Sequence, residues 1–231
     1  MPRFLFLIIL GFSLLTQGCL SGDKKGEGPW DPESIYFDYR VNGNEEDSLI
    51  TVLLHFRQGD EEGDAFKLPD PASVMLDGQV VAGDSSKMGG YYYEVQLPLS
   101  SFSGHHKILF TGLNGKKYEE EFDFQPISII RPAGNMLRND SIVFEFAGLK
   151  PEDYLRVLMT DTTFPGLGIN RLDTVRNGLL IIPAVDVAGL VPGPVQIMFT
   201  REFEKPLENA TKSGGRLLIT YRLIREFILK D

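Results

Sequence analysis

The chain has 231 residues but only one cysteine, three histidines and one tryptophan. A single cysteine cannot form a disulfide bond within the chain. The sequence contains no G-x-S-x-G, H-E-x-x-H or P-loop motif. On a strand, the adjacent His105 and His106 would point to opposite faces, so they cannot jointly bind one metal ion. These absences argue against an enzyme with one of the common catalytic signatures, and they predict no cofactor.

Positive charge is also scarce. The chain carries 23 lysine and arginine residues against 32 aspartate and glutamate residues, which gives a formal net charge of −9. An acidic surface argues against nucleic acid as a partner and against electrostatic docking on anionic lipid. It is typical of a solvated extracytoplasmic protein.

Long apolar runs are missing except at the N-terminus. Residues 4–15 follow Arg3 and are broken only by Gly11 and Ser13. At about 1.5 Å per helical residue, this run is too short to cross a bilayer core of about 30 Å. A positive charge followed by a short apolar run is typical of a signal peptide, here residues 1–18.

The cysteine of the chain, Cys19, directly follows the small residue Gly18. This segment resembles the lipobox of bacterial lipoproteins, in a relaxed form like that of Bacteroidota-type lipoproteins. The resemblance implies that diacylglycerol is attached to the Cys19 thiol, that the chain is cleaved before this residue, and that the new amino group is acylated. Two or three acyl chains give stable attachment to a membrane. The alternatives are an ordinary signal peptide with an incidental cysteine and an uncleaved N-terminal anchor.

We therefore expect an exported protein of the bacterial cell envelope. Lipid on Cys19 would anchor it to a membrane, and the outer membrane is the expected one. Residues 19–31 contain glycine, proline and mixed charges without apolar periodicity, which predicts a flexible tether. Such a tether would hold a folded domain clear of the lipid headgroups.

Apolar and polar residues alternate along most of the remaining chain, which predicts strands with one buried face. One such apolar set comprises Ile35, Phe37, Tyr39 and Val41. Tight turns between strands are predicted at four dipeptides: Asn42-Gly43, Asp77-Gly78, Asn114-Gly115 and Asn177-Gly178. Residues 216–230 also fit one face of a helix, but their β-branched and aromatic side chains favour a long final strand.

A weak internal repeat suggests two related domains. Residues 104–111 (GHHKILFT) align with residues 193–200 (GPVQIMFT), about 90 residues later. Further short matches occur in the same order, such as Leu97-Pro98 with Ile182-Pro183. We predict an all-β chain with two tandem β-sandwich domains, residues 32–126 and 127–231.

Residues 180–199 (LIIPAVDVAGLVPGPVQIMF) resemble the closing strands of immunoglobulin-like domains in bacterial surface lipoproteins. The resemblance implies an immunoglobulin-like sandwich fold and no particular activity. Neither domain contains the Cys…Trp…Cys pattern of antibody domains.

The tyrosine run at residues 91–93 is the candidate for ligand binding. On a strand, Tyr91 and Tyr93 share one face and Tyr92 takes the other. An outward-facing Tyr91 or Tyr92 would offer an amphipathic ring to a sugar or a peptide. The alternative is that these rings pack in the core or at its edge, since Tyr93 continues into the apolar Val95 and Leu97.

An acidic loop is a candidate calcium site. Calcium takes six to eight oxygen ligands, and carboxylates around a glycine can supply them. The loop matches no EF-hand spacing, and a solvated acidic turn is the alternative. Its carboxylates are Asp60, Glu61, Glu62 and Asp64.

Three functions are compatible with these features. The first is a non-catalytic binding or assembly module at the envelope, whose partners are envelope proteins or glycans. The second is a structural spacer within an envelope complex. The third is a glycan-active enzyme with two dispersed carboxylates, for which two sandwiches of about 100 residues leave little room for a deep cleft.

Overall fold

The computed structural model describes residues 31–131, 136–151, 153–163 and 168–231. Within it, Pro32–Asp231 forms one compact unit. The predicted alternation is confirmed on the first strand, where the apolar set is at most 2% exposed: Ile35, Phe37, Tyr39 and Val41. No helix among the described residues is long and apolar enough to span a membrane.

The first sandwich consists of two sheets with the strand orders β1-β2-β6-β5 and β4-β3-β7-β8. Aromatic rings fill the space between the sheets, and the ring centroids of Phe56 and Phe110 are 4.8 Å apart. The strands are β1 (Ile35–Asn44), β2 (Leu49–Gln58), β3 (Ser73–Leu76), β4 (Gln79–Val80), β5 (Gly83–Ser86), β6 (Gly90–Pro98), β7 (Gly104–Thr111) and β8 (Lys117–Phe124).

The second sandwich has the strand orders β9-β11-β14 and β13-β12-β15-β16, and β10 pairs in parallel with the end of β16. Phe144 and Phe199 meet in its core with their centroids 4.8 Å apart. The strands are β9 (Ser128–Arg131), β10 (Met136–Leu137), β11 (Ile142–Ala147), β12 (Tyr154–Thr160), β13 (Ile169–Thr174), β14 (Leu179–Ile182), β15 (Gly193–Pro206) and β16 (Gly215–Lys230).

The two sandwiches share one topology. Strands β1, β2 and β6 correspond to β9, β11 and β14, while β3, β7 and β8 correspond to β12, β15 and β16. This is the pairing of immunoglobulin-like domains, in which strands A, B and E face strands C, F and G. The prediction of two immunoglobulin-like β-sandwiches is therefore confirmed. The long final strand is confirmed as well, because β16 runs to Lys230.

The sequence repeat has a structural counterpart. Pro98 and Pro183 each precede a one-turn helix, Leu99–Ser101 in the first sandwich and the α-helix α1 (Ala184–Val187) in the second. Each helix leads to a glycine at the start of the next long strand, and both glycines, Gly104 and Gly193, have positive φ angles of 126° and 133°. The aligned segments thus have the same role in both sandwiches.

The hairpin of β15 and β16 takes part in both sandwiches. Its strands have 14 and 16 residues, well beyond the five or six of an average strand. The first half of β16 pairs in parallel with β1, from Phe37 beside Gly215 to Asn44 beside Arg222. One nine-stranded sheet results. The boundary predicted between residues 126 and 127 stays a prediction, because the last hairpin contributes on both sides of it.

One predicted turn is wrong. Asn42-Gly43 lies inside β1, where Gly43 pairs with Ile50 and Tyr221. A Cβ atom at Gly43 would lie 2.3 Å from Cδ1 of Ile50, so this glycine serves close strand packing instead of a turn. At Asp77-Gly78 and Asn177-Gly178 both residues have positive φ, as a type I′ turn requires.

Candidate functional site

A groove of about 350 Å³ lies where the two sandwiches meet. Its floor is the middle of the β15–β16 hairpin, on the face that also carries both cores. The end of β8 forms one wall, and the loop after β11 forms the other. The lining side chains include Phe203, Ile219 and Tyr221 on the floor, Asp123 and Gln125 on the first wall, and Lys150 on the second.

The floor is apolar because β15 and β16 place their odd-numbered residues on one face. Phe203 pairs with Ile219, and Arg201 pairs with Tyr221, so the four side chains are neighbours. Phe203 is 46% exposed, although most phenylalanines of this chain are buried. The ring of Tyr221 packs edge-on against Phe124, with the centroids 5.9 Å apart. A large apolar side chain therefore lies open at the bottom of a concave surface.

Burial raises the pKa of the Tyr221 hydroxyl, and the carboxylate of Glu45 raises it further. The hydroxyl is therefore neutral at physiological pH.

Arg201, on the floor of the groove, forms hydrogen bonds and an ion pair with both walls. Its Nη1 atom donates to the carbonyl oxygens of Gln125, at 3.4 Å, and of Gly148, at 3.2 Å. Its Nη2 atom lies 3.1 Å from the carboxylate of Asp153. The walls also touch each other, because a Cβ atom at Gly148 would lie 2.2 Å from the carbonyl oxygen of Pro126. Only glycine permits that approach, so the groove has fixed sides.

Lys205 makes a second connection between the hairpin and β8. Its ammonium group lies 2.5 Å from the Glu120 carboxylate and donates to the carbonyl oxygen of Glu121 at 3.2 Å. Glu120 is only 4% exposed, so its charge needs this partner.

Lys150 and Asp123 carry opposite charges at the rim of the groove. The Lys150 side chain is exposed on the second wall, and no described carboxylate lies within ion-pair distance of its ammonium group. Asp123 directs its carboxylate outward, 85% exposed, toward His105. Among its described lining residues, the groove has one carboxylate and neither histidine nor cysteine. The groove offers an apolar floor, a cation at the rim and polar backbone groups on the walls, which are features of ligand pockets.

An ion network lies on the opposite face of the sheet, where β1 meets β16. The Asp38 side chain is fully buried and accepts hydrogen bonds from Arg40, Arg57 and Arg216 at 2.8 to 3.3 Å. Burial by itself would raise the pKa of Asp38, but the hydrogen bonds from Arg40 and Arg216 outweigh it and the pKa is lowered. Asp38 and Arg216 are neighbours in the parallel register, so this ion pair connects the first strand to the last.

No protein-family model matches the chain. No curated protein matches it either.

Several solved structures are similar in fold. A bacterial ice-binding adhesin that is retained at the host cell surface is 12% identical over 87% of this chain and 66% of its own, with a TM-score of 0.29. The two-domain fragment DIP-gamma IG1+IG2 is 9% identical over 86% of this chain and 98% of its own, with a TM-score of 0.26.

A third similar structure is SGBP-B of the Bacteroides ovatus mixed-linkage glucan utilization locus, in complex with a mixed-linkage heptasaccharide. It is 11% identical over 75% of this chain and 53% of its own, with a TM-score of 0.23. All three TM-scores are below 0.5, so a function for this chain rests on its own residues.

The structure places the two predicted tyrosines on opposite faces of β6, outside the groove. Tyr91 is half-buried, with Nζ of Lys67 at 6.0 Å from its ring centre. Tyr92 is also half-buried, and its hydroxyl donates to Asp84 at 3.4 Å. Its ring lies 6.4 Å from that of His55, which is only 7% exposed. The two rings do not form a common platform, and a ligand role for either stays a prediction.

Two of the four carboxylates of the acidic loop, those of Asp60 and Glu61, have partners within the protein. Asp60 accepts a hydrogen bond from the backbone of Glu62, and Glu61 pairs with Arg216 at 2.5 Å. Across residues 31–131, 136–151, 153–163 and 168–231, no group of three or more His, Cys, Asp or Glu side chains is placed to hold a metal ion. Asp64 contributes its backbone carbonyl to Gln58. Cys19 and the rest of the proposed signal and tether lie outside the described residues.

Sequence reasoning missed the groove. Its floor residue Phe203 stands between charged residues, which is the pattern of an ordinary solvated strand. The available signal was length: residues 193–206 and 215–230 are both too long for a strand in a sandwich of about 100 residues. The excess length is the part that forms the floor.

Proposed function

We propose that the chain is a membrane-anchored, non-catalytic binding module of the bacterial envelope, and that its partner occupies the groove between the two sandwiches. The observation that carries this proposal is the exposed ring of Phe203 at the bottom of a concave surface. Exposing a large apolar side chain in a concavity costs solvation free energy, which a ligand recovers when it covers the ring.

The fixed walls strengthen the proposal. Arg201 holds both sides in place through backbone carbonyls, and Lys205 holds the β8 side through the buried carboxylate of Glu120. A site that is already formed loses less conformational entropy on binding than one that must be ordered by its ligand.

The dye anilinonaphthalene sulfonate, which joins aromatic rings to an anion, tests the groove directly. We expect saturable binding to the purified protein, seen as an increase in dye fluorescence. Phe203→Ala should weaken this binding about fivefold, because it removes most of the exposed ring surface. Leu172→Ala is the matched control, since Leu172 is also an exposed apolar residue on β13, 59% exposed against 46% for Phe203. Dye binding that is absent, or that responds equally to both substitutions, would contradict a binding groove.

The anchor is a separate part of the proposal and concerns Cys19. Its support is the apolar run at residues 4–15 followed by the sole cysteine. Cys19→Ser removes the thiol that would carry the lipid. We expect the variant to move from the membrane fraction to the soluble fraction when expressed in a bacterium with a lipoprotein pathway, and to lose labelling by radioactive palmitate. Membrane attachment that survives the substitution would show that the anchor lies elsewhere.

The second candidate is a spacer role in an envelope complex. The nine-stranded sheet favours it, because a continuous sheet joins the two sandwiches more firmly than a flexible linker would. A spacer has no need of an open groove. Phe203→Ala would then leave its cellular role intact, whereas shortening the β15–β16 hairpin would abolish it.

A further inference from the structure

Strand β8 is the last strand of its sheet, and its outer edge faces the groove. The sheet order β4-β3-β7-β8 leaves β8 paired with β7 alone. Gly112 donates to Lys116 at the start of this hairpin, so the even-numbered residues of β8 are the ones that bond to β7. The backbone N–H and C=O groups of the odd-numbered residues therefore point to the free edge.

Two side chains of β15 donate hydrogen bonds to backbone carbonyl oxygens at this edge. Lys205 donates to the carbonyl oxygen of Glu121, and Arg201 donates to that of Gln125. Asp123 lies between them. Its backbone N–H and C=O groups have no hydrogen-bond partner among the described residues, and Asp123 lines the groove. One donor and one acceptor of a strand edge are thus open beside an apolar floor.

We propose, on the basis of the binding groove proposed above, that its occupant is an extended peptide segment of a partner protein, which pairs as a short strand with the free edge of β8 at Asp123, between the contacts of Lys205 and Arg201. With the peptide antiparallel to β8, the residue opposite Asp123 would form the two-bond backbone pair of an antiparallel sheet. Strand addition uses the backbone for affinity and alternate side chains for specificity.

The geometry of a sheet fixes which side chains of the peptide would meet the floor. Residues opposite each other on neighbouring strands point to the same face. The peptide residue opposite Asp123 therefore points outward, as Asp123 does. Its two neighbours point inward with Phe124, onto Phe203 and Ile219. The expected pattern is apolar, any residue, apolar.

The positive charge of Lys150 favours an acidic residue at one end of the peptide. Lys150 stands beyond the end of β8, on the wall formed after β11, and has no described ion-pair partner. An acidic residue flanking the apolar pair would meet its ammonium group. This contribution is modest and sensitive to salt, as for any exposed pair.

The test uses the purified full chain in mild detergent and a synthetic probe, acetyl-Glu-Thr-Val-Thr-Val-Thr-Glu-amide. The two-bond pair at Asp123 requires the probe to run antiparallel to β8, which brings its N-terminal glutamate toward the end of β8, where Lys150 stands. The comparison peptide carries an N-methyl group on the central threonine, which removes the donor to the Asp123 carbonyl oxygen and leaves every side chain in place. Binding is followed through the amide resonance of Asp123 in a nitrogen-15 spectrum. The protein variants are Phe203→Ala and, as the control, Leu172→Ala.

We expect the probe to bind saturably with a dissociation constant of about 1 mM or tighter. N-methylation and Phe203→Ala should each weaken it by about tenfold, and Leu172→Ala should leave it unchanged. Binding that is lost in Phe203→Ala but indifferent to N-methylation would overturn strand addition and leave the groove as a binding site. A probe that does not bind a protein that still binds the dye would also overturn the peptide assignment, and a glycan would then be the next class to test. Loss of dye binding as well would overturn the groove itself.

Discussion

At the scale of single residues, the Asp38 carboxylate is the centre of the ion network where β1 meets β16. Three guanidinium groups surround its carboxylate, and their side chains are 17% to 33% exposed while Asp38 is fully buried. Such a centre contributes little net stability compared with an apolar core, but removing the central charge is costly because the remaining charges lose their partner.

Asp38→Asn keeps the shape of the side chain and removes its charge. We expect the free energy of unfolding to fall by about 2 kcal/mol, less than for a fully buried pair because the arginines reach water. Urea denaturation followed by circular dichroism measures the loss. Asp123→Asn serves as the control, since its carboxylate is 85% exposed. Equal effects of the two substitutions would contradict a special role for Asp38.

The lowered pKa of Asp38 also predicts how stability depends on pH. The folded state keeps this carboxylate ionised to a lower pH than the unfolded state, whose aspartates titrate near about 3.9. The stabilisation is complete above the unfolded pKa and is lost as the pH falls through the folded pKa. Urea midpoints measured from pH 6 to pH 3 should therefore fall more steeply for the native protein than for Asp38→Asn. Parallel curves would show that Asp38 is not the group responsible.

The sequence could not predict this centre. Tyr36, Asp38 and Arg40 alternate with a buried apolar set, which is the pattern of a solvated strand face. Asp38 is buried only because β16 lies beside β1, and its partner Arg216 is 178 residues away. Local periodicity reports which face of a strand is apolar and carries no information about distant strands.

At the scale of elements, the parallel pair of β1 and β16 requires a close approach at one glycine. A Cβ atom at Gly215 would lie 2.6 Å from the carbonyl oxygen of Phe37 and 2.8 Å from its Cβ atom. Backbone atoms in the middle of a sheet cannot move aside as the end of a flexible side chain can. Position 215, where β16 joins the first sandwich, therefore requires glycine.

Gly215→Ala should destabilise the protein by about 1–3 kcal/mol through overpacking. Differential scanning calorimetry would show the effect as a lower Tm. The matched control is Gly112→Ala at the end of β7, where the nearest atom to the new Cβ, at 3.4 Å, is only in ordinary contact. If both variants kept the native Tm, the close packing of β1 against β16 would be refuted.

The elements themselves were largely predictable. Alternation located the core faces, and the aligned glycines at residues 104 and 193 identified equivalent strands in both sandwiches. The Asn42-Gly43 turn was wrong because the same dipeptide that suits a turn also allows close packing of Ile50 against a strand. A dipeptide limits which backbone conformations are allowed, and packing against the neighbouring strands determines which of them forms.

At the scale of the whole molecule, the shared hairpin joins two sandwiches that could otherwise unfold separately. Strand β16 pairs with β15 along its length and with β1 over its first half. Losing the second sandwich would remove the neighbour of β1. We therefore expect one cooperative unfolding transition, with equal calorimetric and van't Hoff enthalpies.

A core substitution in the second sandwich provides the sharper test. Leu155 is fully buried on β12, and Leu155→Ala should cost about 2–5 kcal/mol. If unfolding is cooperative, hydrogen exchange at the β2 amides of the first sandwich should accelerate to match that loss. Val143→Ala is the control because Val143 is 47% exposed. Faster exchange confined to the second sandwich would show that the two sandwiches unfold independently.

The pairing of β1 with β16 also has a consequence for the order in which the protein is made. The ribosome synthesises β1 before any other described strand and β16 after all of them. Until the last residues are available, β1 has an open edge, and an open edge can pair with other chains. Contacts between residues so distant in sequence form slowly. Completion of the first sandwich therefore requires the last strand, and a chain that lacks this strand would be exposed to aggregation through its first.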